Sequence, residues 1–180
     1  MADTAAHAHI AAPAPQRVRA VNGVQIWYAV FGHGAPVILL HGGLANSSYW
    51  GLQVPALAKH YQVVVMDSRG HGRSTRDDRP YGYDLMADDV VGLLDFLKIH
   101  RAAVVGWSDG GILGLDLAIR HPDRVSKVFA FAANTDPSGV VAAAIPGAGL
   151  LIQPNVSHFS FLQDPEQFTS DVLHFLAQTP

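Results

Sequence analysis

The chain has 180 residues, of which 49% are hydrophobic and 15% are charged, and its formal net charge is −3. This length suits one domain, and the composition excludes an intrinsically disordered chain. The weakly acidic balance excludes a strongly basic nucleic-acid-binding surface, so we expect no nucleic-acid partner. The absence of cysteine excludes disulfides, thiolate metal sites and a cysteine nucleophile.

Neither a metal site nor a membrane segment is predicted. The ten histidines are scattered without a familiar ligand spacing, and we expect no metal and no cofactor. The longest uncharged stretch, from Pro137 to Gln163, is broken by Pro146 and Pro154, whereas a spanning helix needs about 20 apolar residues. The amino-terminal segment lacks the basic start and the continuous apolar run of a secretory signal. A cytoplasmic protein without a membrane partner is therefore expected.

The chain opens with an Ala/Pro-rich tail over residues 1–16, expected to be disordered, which leaves 17–180 as a single domain. Arg17–Val21 and Val24–Phe31 flank Asn22-Gly23, the strongest short hairpin signal. Continuous apolar runs of the kind found in buried parallel strands follow. They are Val37–Leu40, Val63–Met66, Ala103–Gly106 and Val125–Ala132.

Helical patterns separate these strands. Tyr83–Ile99 places its apolar residues on one stripe, Gly111–Arg120 ends before Pro122, and Asp164–Ala177 carries a proline in its first turn. Strand and helix therefore alternate after an amino-terminal hairpin. That order predicts a doubly wound, mostly parallel α/β sheet.

A candidate nucleophile follows the third apolar run. Gly106-Trp107-Ser108-Asp109-Gly110 fits the G-x-S-x-G pattern between a strand and a helix. The glycines allow a sharp turn that lifts the serine hydroxyl into the open at a helix amino terminus. The alternative is that Ser108 merely caps the following helix, which leaves both flanking glycines unexplained.

These segments resemble the α/β-hydrolases. The matching motifs cover most of residues 17–178 in the expected order, and the GWSDGG form is similar to serine esterases, C–C bond hydrolases and valacyclovir-hydrolase-like members. The motifs are PVILLHGG, DSRGHGRS, VVGWSDGG, RHPDRV and NVSHFSFLQDPEQF. The resemblance implies an α/β-hydrolase-like sheet with a serine hydrolase site at its carboxyl edge.

The resemblance also assigns roles to residues. Ser108 is the implied nucleophile and His158 the implied general base, although His158 could instead be an ordinary surface histidine. The implied oxyanion hole uses the backbone N–H groups of Gly43 and Asp109. The expected substrate pocket is lined by Gly42, Leu44 and Trp107.

The chain departs from the family where the lid and the usual acid-bearing strand are expected. Both are missing from the sequence, which is shortened between about residues 137 and 150. Of the acids between Ser108 and His158, only Asp136 follows the carboxyl end of a strand, so it is the candidate triad acid. Thr-Asp-Pro-Ser-Gly is equally consistent with a plain turn. The sheet either closes up without the missing strand or leaves an open edge. An open edge is a template for pairing with another chain, so a homodimer through it is one expectation.

The predicted activity is cleavage of a small-molecule carboxylic ester through an acyl-enzyme intermediate. One alternative is a catalytically impaired or non-catalytic protein of the same fold, as an internal deletion form. C–C bond hydrolysis and perhydrolysis on the same site are further alternatives. Fold alone does not decide among them, so the prediction depends on the site.

Overall fold

The fold begins with an antiparallel hairpin. The computed structural model describes residues 17–133 and 159–178, and the expected tail over 1–16 lies outside them. Strands β1 (Arg17–Val21) and β2 (Val24–Phe31) have the predicted bounds. Asn22 and Gly23 both have positive φ, at 44° and 87°, as the two-residue turn that matches strand twist requires.

Strands and helices alternate after the hairpin, as predicted. All four apolar runs are strands, and all three helical patterns are helices. Three short helical segments were not predicted. In chain order the elements are β3 (Ala35–Leu40), a 3₁₀ helix (Ser47–Leu52), α1 (Val54–Leu57), β4 (Tyr61–Met66), α2 (Tyr83–Phe96), β5 (Ala102–Trp107), α3 (Asp109–Arg120), β6 (Val125–Phe131), α4 (Ser160–Gln163) and α5 (Pro165–Ala177).

The described strands form one six-stranded sheet in the order β1-β2-β4-β3-β5-β6. β1 and β2 pair antiparallel, as do β2 and β4, whereas β3, β4, β5 and β6 run parallel to one another. Val37 of β3 lies opposite Val63 on one side and Ala103 on the other. The predicted doubly wound, mostly parallel sheet with an antiparallel hairpin is confirmed.

Apolar side chains cover both faces of the sheet. Along β3, Ile38 and Leu40 pack with α2 and α3 on one face. Val37 and Leu39 pack on the other face with the 3₁₀ helix, α1, α4 and α5. Burial on both faces explains why the parallel strands are continuous apolar runs rather than alternating ones.

The parallel strands all end at the same edge of the sheet, and the candidate site residues follow these ends. Loops after β3, β4 and β5 carry His41 to Leu44, Asp67 to Gly72, and Ser108. In an open α/β sheet, ligands bind outside this carboxyl edge. Within the described part of the chain, no helix has the length and apolar character to cross a membrane.

Candidate active site

Ser108 occupies a sharp turn between β5 and α3. Its backbone has φ 54° and ψ −119°, a region that non-glycine residues rarely adopt and that costs on the order of 1–3 kcal/mol. The Ser108 N–H donates to the Phe131 carbonyl at 2.8 Å. The Ser108 carbonyl accepts from the N–H groups of Gly111 at 2.8 Å and Ile112 at 3.0 Å. The strained turn is therefore held on both sides of the serine.

Two glycines beside Ser108 are required by close backbone packing. A Cβ on Gly106 would overlap the carbonyl oxygen of Gly110, and a Cβ on Gly110 would overlap the carbonyl oxygen of Leu40. Backbone atoms cannot swing away as a flexible side chain can. The G-x-S-x-G pattern thus reflects a tight strand-to-helix turn with Ser108 at its apex, the geometry of the turn that carries the nucleophile in α/β-hydrolases.

The alternative interpretation of Ser108 as a helix cap is wrong, because its side chain makes no capping hydrogen bond. The Asp109 N–H is the first of α3, and the first N–H groups of a helix have no acceptor inside it. The helix amino terminus also carries a partial positive charge. A backbone donor and a field that favours negative charge therefore lie next to Ser108.

The loop after β3 approaches the same turn. A Cβ on Gly42 would lie 3.1 Å from the Ser108 Cβ, and a Cβ on Gly43 would overlap the carboxylate of Asp109. Both glycines therefore lie in close contact with the turn at Ser108. The structure thus brings Gly42 and Gly43 against Ser108 and Asp109, the pair of segments from which the sequence predicted an oxyanion hole.

An aromatic cluster lies beside the strand-to-helix turn at Gly106–Gly110, called the elbow from here on. Trp107 is buried, and its ring centroid lies 5.7 Å from Tyr49, 5.1 Å from Phe159 and 4.8 Å from Phe161. Phe159 is more than a third exposed. Leu44, in contrast, has a positive φ of 56° and is 99% exposed, so its side chain projects into solvent.

Tyr83 is a neighbour of the elbow that the sequence did not indicate. Its hydroxyl donates to the Asp109 carboxylate at 3.2 Å. Burial raises the pKa of Tyr83, and the negative charge of Asp109 raises it further. Tyr83 begins α2 and Asp109 begins α3, so the contact depends on how the two helices pack and has no local sequence signal.

His41 joins two loops at the carboxyl edge of the sheet. Its Nδ1 lies 2.7 Å from the Gly42 carbonyl oxygen, and its Nε2 accepts from the Ser68 N–H at 2.9 Å. Burial lowers the pKa of His41, which keeps the ring neutral. Through the Ser68 N–H, His41 therefore holds the loop after β3 against the loop after β4.

Asp67 links the same two loops a second time. Its carboxylate accepts from the N–H and the hydroxyl of Ser47 at 2.9 and 2.6 Å, and from the Arg73 Nε at 2.7 Å. Burial alone would raise the pKa of Asp67, but the hydrogen bonds from Arg73 and Ser47 outweigh it and hold that pKa below its usual range. The Asp67 carboxylate is therefore a structural anion.

Arg69 makes a buried, two-pronged ion pair with Asp89 of α2. The Arg69 Nε lies 2.5 Å from Oδ2 and the Nη2 lies 2.6 Å from Oδ1. Asn22 of the hairpin turn donates to the same carboxylate at 3.2 Å. This cluster holds the loop after β4 against α2 and the hairpin, and its two opposite charges pair with each other.

The remaining candidate residues, His158 and Asp136, lie outside the described residues. So does the shortened segment where the lid and the acid-bearing strand were expected to be missing. Phe159 directly follows the candidate base in the chain, and its ring contacts the Trp107 ring beside the elbow. Within residues 17–133 and 159–178, no group of three or more His, Asp or Glu side chains could hold a metal ion.

Comparison with known sequences gives a family match. A sequence profile of the alpha/beta hydrolase fold matches residues 35–163, more than two thirds of the chain. The human protein named serine hydrolase BPHL is 36% identical over 135 residues, which cover 70% of this chain and 46% of that protein. The chain spans about half or less of the length of the curated relatives that it matches.

Solved structures agree with the fold. The enol-lactonase from Burkholderia xenovorans LB400 is 40% identical, with a TM-score of 0.61 over 62% of this chain and 45% of that one. A hydrolase from Pseudomonas aeruginosa PA01 superposes with a TM-score of 0.83 over 91% of this chain and 99% of that one. The second is only 21% identical, so it shows the fold alone.

Proposed function

The chain belongs to the alpha/beta hydrolase fold family, and on that premise we propose that it is a serine hydrolase that cleaves small carboxylic esters. Ser108 acts as the nucleophile, His158 as the general base, and Asp136 as the acid that orients the imidazole. The backbone N–H groups of Gly43 and Asp109 form the oxyanion hole. The strained backbone of Ser108 at the start of α3 is the observation that carries the proposal.

The position of Phe159 supports the assignment of the base. Its ring contacts Trp107, the residue before Ser108, at a centroid distance of 5.1 Å. Phe159 also follows His158 directly in the chain. The neighbour of the proposed base in the chain therefore contacts the neighbour of the proposed nucleophile, which supports the assignment of His158.

The end of β6 supports Asp136 as the acid. The Phe131 carbonyl, at the last residue of β6, accepts the hydrogen bond from the Ser108 N–H. Asp136 is five residues further along the chain, a span of up to about 17 Å when extended. That reach is sufficient for the carboxylate to approach an imidazole beside Ser108.

The reaction has two halves. His158 takes the proton of the Ser108 hydroxyl as its oxygen attacks the ester carbonyl, and the two N–H groups bind the resulting oxyanion. The C–O bond then breaks, and the alcohol leaves with the proton from His158. Water, deprotonated by the same histidine, attacks the acyl-enzyme and releases the carboxylic acid and the free serine.

Acyl-enzyme formation can be measured directly. With p-nitrophenyl acetate we expect a burst of p-nitrophenol of about one equivalent per chain and an acetylated intact mass, both lost in Ser108→Ala. Asp136→Asn should slow acylation by up to about 10⁴-fold, because the wrong imidazole tautomer then faces the serine. Undiminished acylation in Asp136→Asn would reject that residue as the acid and leave the nucleophile intact.

A non-catalytic role is the second candidate, because the internal shortening expected near residues 137–150 would remove the strand that usually carries the triad acid. The chain covers 46% of the human serine hydrolase and 45% of the enol-lactonase. A folded protein that shows neither burst nor acetylation would favour this role.

We also propose that the chain forms a homodimer through β6. Within the described part of the chain, β6 pairs with β5 on one side only. An unpaired strand edge is a template for a second chain. Light scattering across a concentration series tests this: a constant monomer mass would reject it.

A further inference from the structure

We propose that His41 is a positioning residue of the oxyanion hole, fixing the direction of the Gly43 N–H through its hydrogen bond to the Gly42 carbonyl. The inference rests on the proposed function, because it gives a role to the loop in that reaction. His41 touches none of the reacting atoms. It acts on the peptide between Gly42 and Gly43.

The hydrogen bonds of His41 assign its protons. The backbone N–H of Ser68 can only donate, so the His41 Nε2 that lies 2.9 Å away must be an acceptor. The neutral ring then carries its proton on Nδ1, which donates to the Gly42 carbonyl at 2.7 Å. One contact of His41 thus fixes the tautomer that the other contact requires.

The geometry of the peptide bond carries the argument from His41 to the oxyanion hole. A trans peptide is planar, and its C=O and N–H point in opposite directions. The Gly42 carbonyl and the Gly43 N–H belong to one peptide, so the hydrogen bond from His41 aims the N–H away from the histidine. Within the described part of the chain, this carbonyl also accepts from the Ala45 N–H, at a longer distance of 3.3 Å.

Glycine makes this control necessary. Gly42 and Gly43 have no Cβ to restrict the rotation of the peptide between them, and both lie in close contact with Ser108 or Asp109. A peptide between two glycines therefore needs an external hydrogen bond to fix its orientation. His41 is 2% exposed and supplies that bond from a fixed place in the fold.

The surroundings of His41 hold the ring still. The His71 ring lies at a centroid distance of 5.4 Å, and Asp67 and Asp109 are the nearby acidic groups. Ser47 and Asp67 connect the same two loops a second time through hydrogen bonds at 2.6 and 2.9 Å. Loss of the His41 bond to Gly42 should therefore change the peptide orientation without separating the loops.

Two substitutions test the roles of the two ring nitrogens of His41 separately. The amide of His41→Asn can place an N–H where Nδ1 lies, whereas the amide of His41→Gln can place an oxygen where Nε2 lies. We expect His41→Asn to keep kcat for p-nitrophenyl acetate within about 10-fold. His41→Gln should lose about 100-fold in kcat with KM little changed, the loss seen when one oxyanion donor is removed. His100→Asn, at an exposed position before β5 and at the opposite edge of the sheet, is the control, with kcat unchanged.

Thermal unfolding separates positioning from a merely structural role. If both His41 variants lose kcat equally, or if kcat follows the melting temperature across the series, the proposal is overturned. The proposal is supported if His41→Asn, which keeps the donor to Gly42, retains kcat while His41→Gln loses it.

Nuclear magnetic resonance tests the claim independently of activity. Nitrogen shifts of His41 should show protonated Nδ1 and unprotonated Nε2, and the Gly43 amide signal should move in His41→Gln but stay close to the parent position in His41→Asn. An Nε2-protonated ring or an unmoved Gly43 signal would overturn the proposal. If the parent makes no acyl-enzyme, the proposed function fails while these signals still decide the role of His41.

Discussion

Removal of the Asp89 charge should destabilise the fold by about 3 kcal/mol, because breaking a buried ion pair typically costs 3–5 kcal/mol. The Arg69 and Asp89 side chains are 0% and 1% exposed. In Asp89→Asn, an amide NH₂ replaces one of the oxygens that accept from Arg69, and the buried guanidinium keeps its charge. Asp77, 3.4 Å from Arg69, compensates in part and places the cost at the lower end of the range.

Asp95 of the same helix offers a matched control. It pairs with Arg124 at 2.7 Å, but its side chain is 63% exposed, and exposed pairs contribute about 0–1 kcal/mol. Urea unfolding followed by tryptophan fluorescence should show a loss of about 3 kcal/mol for Asp89→Asn and below about 1 kcal/mol for Asp95→Asn. Equal losses in the two variants would refute the reasoning. The double variant Arg69→Met/Asp89→Leu should recover most of the loss, since no unpaired charge remains buried.

Three further outcomes are expected. Gly110→Ala should unfold the chain or abolish acylation, because its Cβ would overlap the Leu40 carbonyl. Gly114→Ala in the same helix should be tolerated, because its Cβ would lie 3.0 Å from a valine methyl. Equal damage in the two variants would contradict this. Burial lowers the pKa of His41, so the folded state binds fewer protons than the unfolded one below about pH 6.5, and stability falls as pH decreases through that region. Urea unfolding at pH 7.5 and 5.5 should show a smaller decrease in His41→Asn than in the parent. Finally, the carboxylate of Asp109 should favour an ester that bears an ammonium group over its uncharged analogue; equal kcat/KM values, or a preference that survives in Asp109→Asn, would exclude this.

The strands were predictable from sequence because their signals are local. The hairpin bounds match those in the structure, since the Asn-Gly turn sets where β1 ends and where β2 begins. β3 and β4 begin two residues earlier than predicted, at Ala35 and Tyr61, because the backbone ladder continues beyond the purely apolar run. α2 ends at Phe96 rather than Ile99, where Lys98 adopts a positive φ of 58° that a helix cannot contain.

The parts of the site that depend on packing were not predictable. Ser108, Gly42 and Gly43 carried motif signals, and the structure brings them together. Tyr83 reaches Asp109 across 26 residues, and Gln53 donates to the Phe161 carbonyl across 108 residues. Such contacts arise from the relative placement of elements, which no local pattern encodes.

Reaction of Ser108 with a fluorophosphonate tests the central claim most directly. The phosphonate bonds only to a serine whose proton is accepted by a base, and peptide mass spectrometry locates the modified residue. The account predicts rapid, stoichiometric modification of the peptide that contains Ser108, at a rate that collapses in His158→Ala, which removes the proposed base. A folded parent chain whose Ser108 stays unmodified over hours would contradict it.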